Sequence, residues 1–210
     1  MRLVRPNVWA IFSMGATAGR TSKLRANAKD RFADNSKNFR GGQCAYCEGS
    51  LESLGSHIEH FRCRARTPQK TFDWDNLFLS CNRDDSCGRH KDHHARSYDP
   101  SELIDPSHDD PDEFLRFRSD GNIDPVATLD ARGRGRAEET LRVFNLNLKH
   151  GRSLCAERRR VLDVYKGREP DILEALENFS PMERAQFIQE EIEHTAKEPF
   201  GTVIRHFLSG

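Results

Sequence analysis

Apolar residues recur at helical spacing through the last third of the chain. Leu141, Phe144 and Leu148, then Leu154, Val161 and Tyr165, stand three, four or seven positions apart, which predicts amphipathic helices over most of the segment after 130. Ser180-Pro181-Met182-Glu183 sets a hydroxyl three residues ahead of a glutamate, with proline at the first helical position. That is a capping box, and it predicts a helix through about Ala196 that Pro199 stops. Residues 203–208 then predict a short final turn. Phe114-Leu115-Arg116-Phe117 followed by Ser119-Asp120-Gly121-Asn122 reads as a hairpin inside a Pro- and Asp-rich stretch. At the other end, Leu24, Ala28, Phe32 and Phe39 allow a helix over 23–39 or a flexible basic arm. No internal repeat interrupts these patterns.

Composition narrows the class. The 210 residues are 36% hydrophobic and 31% charged, which suits one domain of ordinary size or a small module with an extension. Thirteen Phe and two Trp argue against wholesale disorder. No run reaches the 18 or so apolar residues of a membrane span, so no membrane association is expected. The start, Met1-Arg2-Leu3-Val4-Arg5, leads into an apolar stretch broken by Ser13 and Gly15, and reads as the ordinary start of a cytoplasmic chain rather than a signal peptide.

A formal net charge of zero conceals blocks of alternating sign. Residues 1–70 hold 13 Lys/Arg against 5 Asp/Glu, residues 101–130 hold 2 against 9, residues 131–170 hold 11 against 5, and residues 171–210 hold 3 against 8. Such blocks can satisfy one another inside a fold, and the two basic ones also suit a nucleic-acid backbone.

Candidate chemistry concentrates between 41 and 98. Cys44-Ala45-Tyr46-Cys47 is a C-x2-C pair, joined after 33 intervening residues by Cys81 and then, at a looser C-x5-C spacing, by Cys87. Two thiolate pairs supply the four ligands of a tetrahedral structural zinc. Cys63 and Cys155 have no such partner and read as packing residues. Between and after the pairs stand His57-Ile58-Glu59-His60, Asn76 and Gly88-Arg89-His90-Lys91-Asp92-His93-His94, so this stretch carries five of the nine histidines.

The order of these elements resembles the HNH endonuclease family. The likeness is closest to the PtuB-like HNH nucleases of Septu and retron-associated anti-phage systems. It is carried by Gly42-Gln43-Cys44-Ala45-Tyr46-Cys47-Glu48, Ile58-Glu59-His60-Phe61-Arg62, Trp74-Asp75-Asn76-Leu77-Phe78 and Ser86-Cys87-Gly88-Arg89-His90-Lys91-Asp92. Arg136-Ala137 and Phe144-Asn145-Leu146-Asn147 extend it, so that it covers about residues 40–165. The resemblance implies an α+β fold: a basic N-terminal segment at 1–40, an HNH ββα-metal core with a structural zinc at 41–98, and an acidic hairpin linker with a C-terminal helical region at 99–210. Helices at both ends would flank the core. It further implies a metal-dependent endonuclease acting on nucleic acid, DNA or tRNA, as the toxic effector of a defence system. Its partner would be a PtuA-like ATPase, joined in retron-associated systems by a reverse transcriptase and its RNA–DNA.

Roles follow from residue chemistry. An imidazole titrates near neutrality, so His60 is the expected general base. Glu59 and His90 are the expected ligands of a catalytic Mg2+ or Mn2+, with His94 and Asp92 behind them. Neighbours on a strand face opposite ways, so Glu59 reaches an ion beside His60 only from a turn or bulge. Asn76 would hold the loop and keep His60 oriented, and Arg62, Arg89 and Lys91 are expected phosphate contacts. The pattern departs from many relatives at Gly88, where they place Asn or His. The competing reading is a non-catalytic zinc module that binds nucleic acid or a protein partner. A thiol-based enzyme is disfavoured, because the paired cysteines are better used by zinc. The chain carries no Gly-x4-Gly-Lys-Ser/Thr loop, so any energy coupling would come from another chain.

Overall fold

The computed structural model describes residues 42–95, 97–149, 153–168 and 172–210. The expected helix or arm at 23–39, and the rest of segment 1–40, lies outside the described residues. A short helix α1 (Leu51–Leu54) leads into strand β1 (Ser56–His60), which pairs antiparallel with β2 (Leu77–Cys81). The register sets Ser56 opposite Cys81 and His60 opposite Leu77. Helix α2 (Cys87–His93) follows, so the order here is strand, strand, helix. Strands β3 (Leu115–Phe117) and β4 (Ile123–Pro125) form the expected hairpin. Helices α3 (Ala131–Val143), α4 (Leu154–Arg168), α5 (Ile172–Asn178), α6 (Pro181–Thr195) and α7 (Gly201–Leu208) complete the fold. It is a mixed α+β architecture with two small sheets.

Local signals explain the helix limits. Asp130 caps α3 by accepting from the Gly133 N–H at 2.7 Å, and Gly133, Ala137, Thr140 and Val143 form its buried face. Ser180 and Glu183 make the reciprocal capping box at the start of α6. Leu148, expected on a continuing helix, instead follows the turn that ends α3, where Asn145 adopts a left-handed backbone with φ of 47°. Among the described residues, no helix is long and apolar enough to cross a membrane.

One apolar core runs across the boundary expected at 98. Tyr46 stacks on Phe144 with ring centroids 4.1 Å apart, Phe61 meets Phe78 edge-on at 6.1 Å, and Leu103, Ile104, Leu115, Ile123 and Leu154 join the same cluster. The strand–strand–helix unit has too little apolar surface of its own, so the hairpin and α3 supply the other half of its interior. A second cluster, with Leu162, Tyr165, Ile172, Leu176, Val203, Ile204 and Leu208, holds α4, α5 and α7 together. Phe117 and Val161 pack against both clusters.

Asp112 fastens α7 to the hairpin. Its carboxylate takes both Arg205 terminal nitrogens and, at 3.1 Å, His206 Nε2, while His206 Nδ1 accepts from the Phe117 N–H. Burial opposes ionisation of Asp112, but His206 and Arg205 outweigh it and hold its carboxyl below the usual value. Because the folded-state value is lowered, this stabilisation is present above the ordinary aspartate value of about 3.9 and is lost as pH falls through the lowered one. Asp112→Asn is therefore expected to cost about 1–3 kcal/mol at pH 7 and to flatten the stability profile below about pH 4. Urea melts of both proteins from pH 2 to 7 check this.

Candidate functional site

The four paired cysteines converge. Their sulfurs all lie within 4.8 Å of one another, and each residue is buried. All six cysteines are free thiols. The Cys47 and Cys81 sulfurs are 3.9 Å apart, close to the roughly 3.8 Å edge of a tetrahedron with zinc–sulfur bonds of about 2.3 Å. The fold builds this site from three places: the turn at 44–48, the last residue of β2 and the first residue of α2. Glu48 closes the turn in a left-handed conformation, φ 63°, donating its N–H to Cys44 O. Main-chain N–H groups of Gly49 and Cys81 point at the sulfurs of Cys47 and Cys44, which favours thiolates.

Electrostatics also call for a cation. Burial, reinforced by hydrogen bonds from the other sulfurs, pushes the Cys87 thiol well up. At Cys44, burial is outweighed by the hydrogen bonds its three neighbours donate, and its thiol is pulled well down. A divalent ion would take all four as thiolates, and the donor set suits zinc.

His60 ends β1 at the opposite end of the sheet from Cys81, paired with Leu77. Its Nε2 lies 3.0 Å from the Thr71 carbonyl, which can only accept, so Nε2 carries the proton and Nδ1 keeps its lone pair. Burial lowers the His60 pKa, with the charges of Arg64 and Lys91 acting in the same direction, which favours neutral imidazole. Asn76 is buried and ties the ends of loop 61–76. Its Oδ1 accepts from the Arg62 N–H at 2.6 Å, and its Nδ2 donates to Arg62 O and Lys70 O at 3.1 and 3.0 Å. Lys70 precedes the Thr71 that holds His60, so Asn76 and His60 are fixed by one loop. On α2, His90 Nδ1 donates to Val143 O at 2.9 Å, which leaves the Nε2 lone pair for a ligand. His94, one turn on, is exposed with its ring 5.7 Å from that of His90, and Asp92 is also exposed.

Glu59 departs from the expected ligand role. It sits in the regular register of β1, opposite Phe78, with no turn or bulge to bring it round to the His60 side. Its side chain is 2% exposed, with Oε1 2.6 Å from the Lys91 ammonium and Oε2 3.6 Å from His57 Nε2. Lys91, expected as a phosphate contact, is likewise enclosed with 0% side-chain exposure. Arg89 lies on the surface but pairs with Asp84 at 2.6 Å, and Arg62 stands 3.7 Å from Asp105. Outside the cysteine cluster, no three His, Cys, Asp or Glu side chains among the described residues bring ligand atoms together. His90 thus keeps a free Nε2 lone pair, whereas the Glu59 carboxylate is enclosed against Lys91.

Three participants escaped sequence reasoning. Thr71 acts through its carbonyl, which no side-chain motif reveals. Gly88 leaves the space that Glu59 fills, since a Cβ there would come within 2.6 Å of Oε2. Glu48 reaches α7, accepting from Thr202 N–H and its hydroxyl, and so connects the cysteine turn to the C-terminal helices.

A strand–strand–helix unit that carries four buried, converging thiols defines the class: a small α+β protein with a four-cysteine cluster able to hold a metal ion. No family model matches the chain. It is similar to the Septu protein PtuB of Bacillus mycoides (strain KBAB4), 28% identical over 199 residues, covering 76% of this chain and 61% of that protein. The chain thus spans about three fifths of the length of the curated relative it matches.

The purified chain is expected to carry one equivalent of zinc by elemental analysis. Cys44→Ser and Cys87→Ser should each lose the metal and destabilise the fold. Even about 4 kcal/mol lowers Tm by about 10 °C in a chain of this size. A stable, metal-free wild type would refute the assignment.

Proposed function

We propose that this chain is a metal-dependent HNH-type nuclease, the effector of a Septu-like anti-phage system. The observation that carries the reading is His60: a neutral imidazole with Nε2 tied to a carbonyl and Nδ1 left basic, on the same strand–strand–helix unit as the four-thiol centre. Similarity to the Septu protein PtuB supports the defence setting and, with it, a PtuA-like ATPase as partner. In this reading the strand–strand–helix unit of β1, β2 and α2 is the ββα-metal core, and residues 41–98 form its functional unit.

His60 Nδ1 takes the proton of a water that attacks the phosphorus, while the bond to the leaving sugar oxygen breaks and that oxygen is protonated from solvent. Asn76 and Thr71 hold the imidazole in place. A bound Mg2+ or Mn2+ supplies charge stabilisation at the scissile phosphate, and His90 Nε2 is available to hold it. Arg62 and Arg89 guide the nucleic-acid backbone. A second reading, a zinc module that binds without cleaving, is favoured by one observation: no three-ligand grouping other than the cysteines exists among the described residues.

His60→Ala separates the two. It is expected to lower cleavage of DNA or tRNA by about 10²–10⁴-fold while leaving zinc content, binding and melting unchanged. Cleavage by the wild type requires His60 unprotonated, so activity is lost as pH falls through its value. Because that value is lowered, the acid limb of the rate profile should have its midpoint below the ordinary histidine value of about 6.5. The His60→Ala protein is further expected to co-purify with a co-expressed PtuA-like ATPase, since docking does not need the reacting group. Wild-type protein that binds no such ATPase would remove the defence assignment and leave the chemistry standing.

A further inference from the structure

Glu59 and Lys91 carry opposite charges out of water at the junction of β1 and α2. Burying both costs desolvation energy that only close geometry and full hydrogen bonding offset. The Lys91 ammonium stands 2.6 Å from Glu59 Oε1 as a close ion pair, and it donates to Asp92 Oδ1 at 2.7 Å and to the main-chain carbonyl of His60 at 2.8 Å. Burial opposes the charge on Lys91, yet the Glu59 carboxylate, Tyr98 and Asp92 outweigh it, and its pKa is raised. The other Glu59 oxygen faces His57 Nε2 at 3.6 Å, the His57 pKa is raised chiefly by that carboxylate, and His57 Nδ1 rests on Asn82 at 3.1 Å. Gly88 completes the enclosure by offering no side chain to displace the carboxylate.

We propose that Glu59 is the buried counter-ion of Lys91 rather than a metal ligand, and that Lys91 is a positioning residue anchoring the His60 main chain to α2. The inference rests on the reading of His60 as the base. His60 stands where β1 gives way to loop 61–76, and three contacts hold it there. Thr71 fixes the ring, Asn76 fixes the residues that follow, and Lys91 fixes the carbonyl. Asp92, drawn to the same ammonium, is committed to that network rather than to an ion.

Lys91→Met keeps the length of the side chain and removes the donor. It is expected to lower kcat by about 10–100-fold, the usual cost of losing a group that orients a reacting one. KM for nucleic acid and the affinity for Mn2+ measured by calorimetry should stay unchanged. A raised KM with unchanged kcat would make Lys91 a phosphate contact and overturn the proposal. Glu59→Gln should likewise spare Mn2+ affinity, and a tenfold or greater loss would restore it as a ligand. Where Lys91→Met does not fold, diffraction from wild-type crystals soaked in Mn2+ decides. Glu59 remaining against Lys91, away from the anomalous peak, supports the pairing, and Glu59 on the ion overturns it. A wild type that cleaves nothing overturns the nuclease reading instead, and the Mn2+ map still accepts or rejects the Lys91 pairing.

Discussion

Four buried sulfurs within 4.8 Å of one another constrain the elements that carry them. Cys44 and Cys47 close a turn, Cys81 ends β2 and Cys87 begins α2, so one cluster sets the angle at which α2 leaves the sheet. Cys87 itself adopts a left-handed backbone, φ 57°, and its N–H reaches Phe144 O at 2.8 Å. A strained residue at a helix start persists only where its surroundings over-determine it, here by the sulfur cluster on one side and the end of α3 on the other. From the same turn, Gln43 reaches Glu198 O and Glu48 reaches Thr202, so the C-terminal helices hang from the cysteine turn as well. Holding those sulfurs with an ion therefore stabilises far more than a local knuckle.

The face formed by β1, β2 and α2 divides its polar groups by the alternation of a strand. His57 and Glu59 turn to one side, and His60 turns to the other. On the first side the charges are closed off among themselves. On the second, main-chain carbonyls dictate which imidazole nitrogen carries the proton: Thr71 for His60 and Val143 for His90. His60 and His90 thus owe their tautomers to carbonyls supplied by a distant loop turn and by α3. This ties the helical region after 130 to the site, as does the shared aromatic stack of Tyr46, Phe61, Phe78 and Phe144.

Much was legible in the chain itself. The C-x2-C pair with Cys81 and Cys87 announced a four-thiol centre, because thiolate spacing is a local property. The capping box at Ser180, the hairpin around Asp120 and the helical periodicity after 130 depend on contacts within a few residues, and they stand where the pattern put them. What went astray depended on long-range contact. Leu148 kept the helical period but fell beyond a turn forced at Asn145. The enclosure of the Glu59 carboxylate follows from the regular register of β1 and from Lys91, which no local pattern shows. Lys91 had the sequence of a surface cation and the burial of a core residue.

The sequence by itself determined which groups were available: four thiols, two helix-compatible histidines, one acid–histidine step and the caps that begin the helices. Only the tertiary structure decided which of them share an environment. Glu59-His60, Gly88 and Lys91 meet because α2 packs on the two-stranded sheet closely enough for Gly88 to touch the Glu59 carboxylate and Lys91 to reach it. Burial and counter-charge are properties of that meeting, set by residues far apart in the chain, and so no local pattern could state them.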